Sequence, residues 1–116
     1  DQALANVART LKPGGWFTCF DFFHPYPQDL AIKETSASHP DGLMLHFRPM
    51  AVAKKFLAKH GFTDETFEPF KIPIELPTND DPNLISYTKK SAAGENLLFR
   101  GTLFQPWCHL YARKKG

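Results

Sequence analysis

One stretch decides how the chain is interpreted, the run LKPGGWFTCFDFF at residues 11–23. Pro13 and the glycine pair Gly14-Gly15 end a helix, because proline cannot continue it and glycine readily adopts the backbone that closes it. The segment Gly15–Phe23 then alternates between two faces that are both mostly apolar, which is typical of a strand covered on both sides. This stretch therefore predicts a helix that leads directly into a strand inside an α/β sheet.

The segments on either side of this run support a helical arrangement. Upstream, the apolar residues Leu4, Val7 and Leu11 recur at helical spacing, so an amphipathic helix ends at the proline-glycine turn. Downstream, Pro49–His60 carries another apolar stripe with lysines towards water, and its proline suits a first helical position. Gly61 stands where a left-handed helix cap belongs.

The remaining segments are predicted from turn residues and from alternating apolar positions. In chain order they are a possible short helix at Asp29–Thr35, a loop at Ser36–Gly42, an edge strand at Phe67–Ile74, a loop at Leu76–Asn83, a hairpin of Ile85–Lys90 with Asn96–Leu103, and a final strand at Trp107–Arg113. A strand followed by a helix and then by several strands indicates a mixed α/β arrangement.

Composition narrows the classes of protein that fit. The chain has 116 residues, a net charge of +2, and hydrophobic and charged fractions of 42% and 22%, which are ordinary for a globular domain. No apolar run approaches the roughly 20 residues of a membrane span, and no signal peptide is visible. The lysines are dispersed, which disfavours a nucleic-acid surface. Cys19 and Cys108 lie in apolar runs, so we expect free thiols in a reducing, cytoplasmic compartment.

Two motifs in order carry a resemblance to a known family. The turn Leu11-Lys12-Pro13-Gly14-Gly15 before an aromatic strand, followed by a helix that closes on Lys59-His60-Gly61-Phe62, resembles class I S-adenosylmethionine-dependent methyltransferases. The resemblance implies an α/β fold, with residues 1–116 as the C-terminal half of a seven-stranded Rossmann-like sheet. That half would contain strands five, six and an antiparallel seven, flanking helices and an extra hairpin. The last strand would lie between the other two, which places Cys19 and Cys108 on neighbouring strands.

The resemblance implies S-adenosylmethionine as the cofactor, but this segment lacks the features that hold it. Such sites use a glycine-rich turn after the first strand and an acidic residue at the end of the second. The chain contains no G-x-G, so we expect the cofactor-binding N-terminal half to be absent and the segment alone not to bind the cofactor. Without that half, the strand at 15–23 exposes an edge, and we expect it to pair with the missing half or to self-associate.

Candidate site residues follow from where this family binds its acceptor, at the C-terminal ends of the strands. Asp21 and His24 are weak catalytic candidates, since both side chains can accept a proton, although a strand-end carboxylate and a loop histidine before proline are the more common explanations. The substrate-binding candidates are Phe22, His24, Tyr26, His46 and Arg48. No metal site is expected, because the chain has neither C-x-x-C nor H-E-x-x-H.

Two functions remain open from the sequence. The first is methyl transfer from S-adenosylmethionine to an unidentified acceptor, expected to be a small molecule, with the isolated segment inactive. An aromatic-rich pocket would favour an apolar acceptor. The alternative is a non-enzymatic α+β module that binds a ligand or oligomerises.

Overall fold

A computed structural model describes residues 1–78, 86–101, 103 and 105–116 of the chain. In chain order the elements are α1 (Gln2–Thr10), β1 (Trp16–Asp21), β2 (Phe23–His24), β3 (Leu30–Ser36), β4 (His39–Pro49), α2 (Met50–Lys59), β5 (Phe62–Pro69), β6 (Ser86–Lys90), β7 (Asn96–Arg100) and β8 (Cys108–Lys114). Parts of the predicted loop Leu76–Asn83 and of the predicted hairpin, Ile85 included, lie outside the described residues.

The first sheet brings together strands from both ends of the chain. Its order is β1-β8-β5, and β8 runs antiparallel to both neighbours. The register places Cys19 opposite Leu110 and Asp21 opposite Cys108. The last strand therefore lies between the other two, and the two cysteines occupy adjacent strands on one face of the sheet.

The two helices cover the face of the first sheet that carries Cys19 and Cys108, which is called the inner face below. Helix α2 contributes the buried residues Ala53 and Leu57 to a core that also contains Phe62 and Leu110. Helix α1 packs against the same core through its apolar stripe, yet none of its residues is buried. Its C-terminal end is fastened by Lys114, whose Nζ donates to the carbonyl oxygens of Ala8 and Leu11.

The second sheet has the order β2-β4-β3, with β2 parallel and β3 antiparallel to β4. β3 and β4 form a hairpin whose two-residue turn is Ala37-Ser38. The inner side of this sheet surrounds a second core of Phe22, Phe47 and Leu103. The two neighbouring phenylalanines between β1 and β2 therefore enter different cores, since Phe22 belongs to this core and Phe23 to the first one.

The third sheet is the hairpin of β6 and β7. It is joined to the second sheet by an ion pair between Arg100 of β7 and Glu34 of β3, with 2.6 Å between Nη2 and Oε1. The two side chains are only 19% and 14% exposed, so the pair is largely shielded from water.

The predicted fold class, an α/β half of a Rossmann-like sheet with flanking helices, is wrong. Among the described residues about 49% are in strands and 18% in two helices, and the strands form three small sheets. The physical reason lies in residues 30–49, which form a β-hairpin with alternating burial rather than a helix and a loop. This hairpin builds a second sheet beside the first, so the protein is mostly β.

Individual elements compare with the sequence as follows. The two helices are confirmed, and Gly61 has the left-handed φ of +77° expected of a cap. The short helix at Asp29–Thr35 and the loop at Ser36–Gly42 are wrong, because β3 and the start of β4 occupy these residues. The strand predicted at Phe67–Ile74 instead spans Phe62–Pro69. Neither helix in the described part of the chain has the length and apolarity to cross a membrane.

Candidate functional site

A cavity of about 370 Å³ lies between α1, α2 and the inner face of the first sheet. Its wall is mostly apolar, and half-buried side chains from all three elements contribute to it: Leu4, Val7, Phe17, Val52 and Phe56. The cavity exists because α1 rests on the sheet without burying any of its residues. A concave, mostly apolar space with a few polar groups at its rim is the usual form of a small-molecule site.

Asp21 reaches this cavity because of the alternation along β1. Phe17, Cys19 and Asp21 share the inner face, and all three line the cavity. Asp21 is the last residue of β1, where its Oδ1 accepts a hydrogen bond from the backbone N–H of Phe22 at 2.7 Å. That bond holds one oxygen of the exposed carboxylate, which lines the cavity together with the apolar wall residues.

Arg48 approaches the same rim from β4. The parallel pairing of β2 with β4 sets Arg48 opposite Phe23, and Phe23 itself lines the cavity. The guanidinium is exposed and lies 3.7 Å from the carboxylate of Asp29. The cavity therefore has an acidic and a basic side chain on its rim, contributed by two different sheets.

The two thiols on the inner face are poor nucleophiles. Burial raises the pKa of Cys19, and the neighbouring carboxylate of Asp21 raises it further. Burial likewise raises the pKa of Cys108 to about 11, against a smaller lowering by a backbone hydrogen bond at Glu68. Because the thiolate is the reactive form, both cysteines remain protonated and unreactive near neutral pH. Cys19 therefore contributes to the cavity as a small apolar wall residue.

The other candidate residues lie away from the cavity. His24 is fully buried, and its Nε2–H donates to the carbonyl oxygen of Phe47 at 3.2 Å, while its Nδ1 has no partner among the described residues. Tyr26 is 52% exposed, with its ring centroid 5.8 Å from that of His24. Phe22 is buried in the second core, and His46 is exposed on β4. The structure thus brings together Asp21 and Arg48 and leaves the others outside.

The wall residues on the helices were missed by sequence reasoning. Val7 and Val52 belong to apolar helical stripes, and such a stripe ordinarily indicates contact with a filled core. Periodicity reports which face is apolar, and it carries no information about whether that face is fully packed. The weak packing of α1 is the property that opens the cavity, and it has no signature in the sequence.

The one glycine pair of the segment, Gly14-Gly15, uses its N–H groups internally. That of Gly14 donates to the carbonyl oxygen of Lys114 and that of Gly15 to the carbonyl oxygen of Lys12, both at 2.9 Å. Both amides are thus engaged in the turn between α1 and β1. Within the described ranges, no three side chains of the metal-binding types lie close enough together to hold an ion.

No protein-family model, curated protein or solved structure matches this chain. The motifs at residues 11–15 and 59–62 and the geometry of the cavity are therefore the basis for any functional assignment.

Proposed function

We propose that this chain is part of an S-adenosylmethionine-dependent methyltransferase, and that the cavity between α1, α2 and the first sheet binds the methyl acceptor, a small molecule. One observation carries the proposal: Asp21, at the end of the strand that follows the L-K-P-G-G turn, opens onto an apolar cavity of about 370 Å³. The end of this strand is where the family resemblance puts the acceptor.

The residues of this chain have a limited set of roles in the proposed reaction. The apolar wall excludes water and holds the body of the acceptor. The acceptor atom gains a methyl group and releases a proton, and the carboxylate of Asp21 accepts that proton. Because the glycine amides of the segment are already bonded internally, the cofactor is held by residues outside it, and the isolated segment is inactive. The two free thiols favour a cytoplasmic location.

Label transfer tests this proposal. The natural protein containing residues 1–116 would be incubated with S-adenosylmethionine labelled in its methyl group and with pools of small molecules. We expect label in an apolar product, and we expect Asp21→Asn to slow transfer by about 100-fold or more if the carboxylate accepts the proton. Asp41→Asn, in the exposed part of β4, is the matched control. Absence of transfer from any pool, or an Asp21→Asn rate equal to wild type, would contradict the proposal.

A second candidate function, self-association, is favoured by the outer face of the first sheet. Trp16 and Phe20 on this face are 57% and 43% exposed, and β1 is an edge strand of its sheet. An edge strand with exposed aromatic residues is a template for pairing with another strand. Light scattering on the 13.2 kDa chain is expected to give a mass above the monomer. Thr18→Lys on β1 should lower that mass and Thr66→Lys on β5 should not, whereas a clean monomer at micromolar concentration would refute this second function.

A further inference from the structure

The charged side chains at the cavity differ in whether their charge is already balanced. Three of them line it, Asp1, Asp21 and Arg48. The carboxylate of Asp1 is bound at both oxygens, by Lys59 Nζ at 2.6 Å and by His60 Nε2 at 2.5 Å. These two contacts come from the last turn of α2 and its cap, so the charge of Asp1 is balanced within the protein.

Arg48 is balanced in a similar way. Its guanidinium lies 3.7 Å from the carboxylate of Asp29. An anionic ligand at Arg48 would have to compete with Asp29 for the guanidinium, with Asp21 on the same rim repelling it. The geometry therefore disfavours an acidic ligand.

Asp21 differs from both. No ion pair among the described residues includes Asp21. Among the described residues, the carboxylate of Asp21 accepts one hydrogen bond, at Oδ1, from the uncharged backbone N–H of Phe22. Its negative charge also acts on the cavity interior, since it raises the pKa of the Cys19 thiol on the same face. The rim thus carries one unbalanced negative charge beside an apolar wall.

We infer that the ligand of this cavity is an amine with an apolar body, held by an ion pair between its ammonium group and the carboxylate of Asp21. The inference rests on the proposed function in taking the cavity for the acceptor site, and it names the class of acceptor. In methyl transfer the ammonium first gives one proton to the carboxylate of Asp21, and the electron pair left on the neutral nitrogen then forms the bond to the methyl group. The apolar body lies against Phe17, Val52 and Phe56, and the cationic end stays at the rim where Asp21 is exposed. Charge complementarity gives the selectivity, and the wall gives most of the affinity.

The test uses three probes that share a naphthalene ring and differ in charge: naphthylmethylamine, naphthylmethanol and naphthoic acid. Their binding to the full chain would be measured by calorimetry near neutral pH. Because Asp21 is exposed, the ion pair is of modest strength, and we expect the amine to bind about three- to tenfold more tightly than the alcohol. The acid should bind most weakly. Asp21→Asn keeps an oxygen for the Phe22 N–H and should bring the amine to the affinity of the alcohol, whereas the Asp41→Asn control should preserve the difference.

Each outcome decides the inference. The expected order, lost only in Asp21→Asn, supports it. Tightest binding of the acid, equal binding of all three probes, or no binding at all overturns it. The proposed function fails separately: if the amine preference holds and the natural protein transfers no labelled methyl group to any amine, the cavity is an amine site and the methyltransferase assignment is wrong.

Discussion

One ammonium group, Lys114 Nζ, holds the C-terminal end of α1, and Lys114→Met removes it while keeping most of the side chain. The last carbonyl groups of a helix lack partners within the helix. In this protein two of them, at Ala8 and Leu11, accept hydrogen bonds from Lys114 Nζ, the second at 2.7 Å. The ammonium also lies at the negative end of the helix dipole. We therefore expect the substitution to loosen α1 selectively.

The magnitude follows from the number and kind of bonds. Two charge-assisted hydrogen bonds at a half-buried helix end, together with the dipole interaction, stabilise α1 by about 1–2 kcal/mol. Because α1 buries none of its residues, its opening is local and does not require the core to unfold. A change of this size should accelerate hydrogen exchange of the α1 amides by about 5- to 30-fold.

Hydrogen exchange followed by mass spectrometry measures this effect on peptides that cover Gln2–Thr10. Peptides from α2 should keep their wild-type rates, since Lys114 makes no side-chain bond to α2 in the described residues. Lys115→Met is the control, because that exposed neighbour contributes its backbone N–H to Gly61. Unchanged exchange in α1 of Lys114→Met, or an equal acceleration in Lys115→Met, would refute the reasoning.

Three further predictions concern stability. Burial raises the pKa of Cys108 from 9.0 to about 11. The stabilisation that the protonated thiol gives to the folded state is therefore fully present below pH 9.0 and is lost as pH rises through about 11. In urea titrations at several pH values, Cys108→Ala should flatten this decline of the unfolding free energy. Glu34→Gln should lower the unfolding free energy by about 3 kcal/mol, because it leaves the positive charge of Arg100 shielded from water without a negative partner. The control Glu95→Gln, in an exposed ion pair with Lys71, should lower it by less than about 1 kcal/mol. Equal losses for the two variants would contradict this prediction. Leu57→Ala should lower the unfolding free energy measured by urea denaturation by about 2–5 kcal/mol, because Leu57 is fully buried. The control Leu43→Ala, at an exposed position, should lower it far less. A small loss for Leu57→Ala would show that α2 does not anchor the core.

Sequence reasoning located the elements whose local signals agree with their surroundings. The proline-glycine turn, the helix that ends at Gly61 and the last strand between the other two are all observed. It failed at residues 30–49, where Ser36–Gly42 is rich in residues typical of loops. Only the pair Ala37-Ser38 forms the turn, while Ser36 belongs to β3 and the residues from His39 onward belong to β4. That error changed the fold class, because the hairpin forms a sheet of its own.

In the candidate site, too, some positions follow from local sequence patterns and others depend on long-range contacts. The alternation of β1 predicts that Asp21 lies at the strand end on the side of Cys19. The arrival of Arg48 at the same rim depends on the pairing of β2 with β4, a long-range contact that local patterns do not encode. His24 is buried against Phe47 for the same reason. The candidates were predicted from residue types and from the family resemblance, and which of them line the same cavity depends on tertiary packing.

Filling the cavity tests the central claim most directly. Val52→Trp, on α2, would place a large side chain in the space proposed for the acceptor without changing Asp21 or Arg48. The measurement is transfer of labelled methyl from S-adenosylmethionine to an apolar amine by the natural protein, with cofactor binding measured on the same samples. We predict that wild type transfers the label, and that Val52→Trp binds the cofactor normally but loses transfer. Equal transfer by both proteins, or none by wild type, would contradict the assignment of this cavity as the acceptor site.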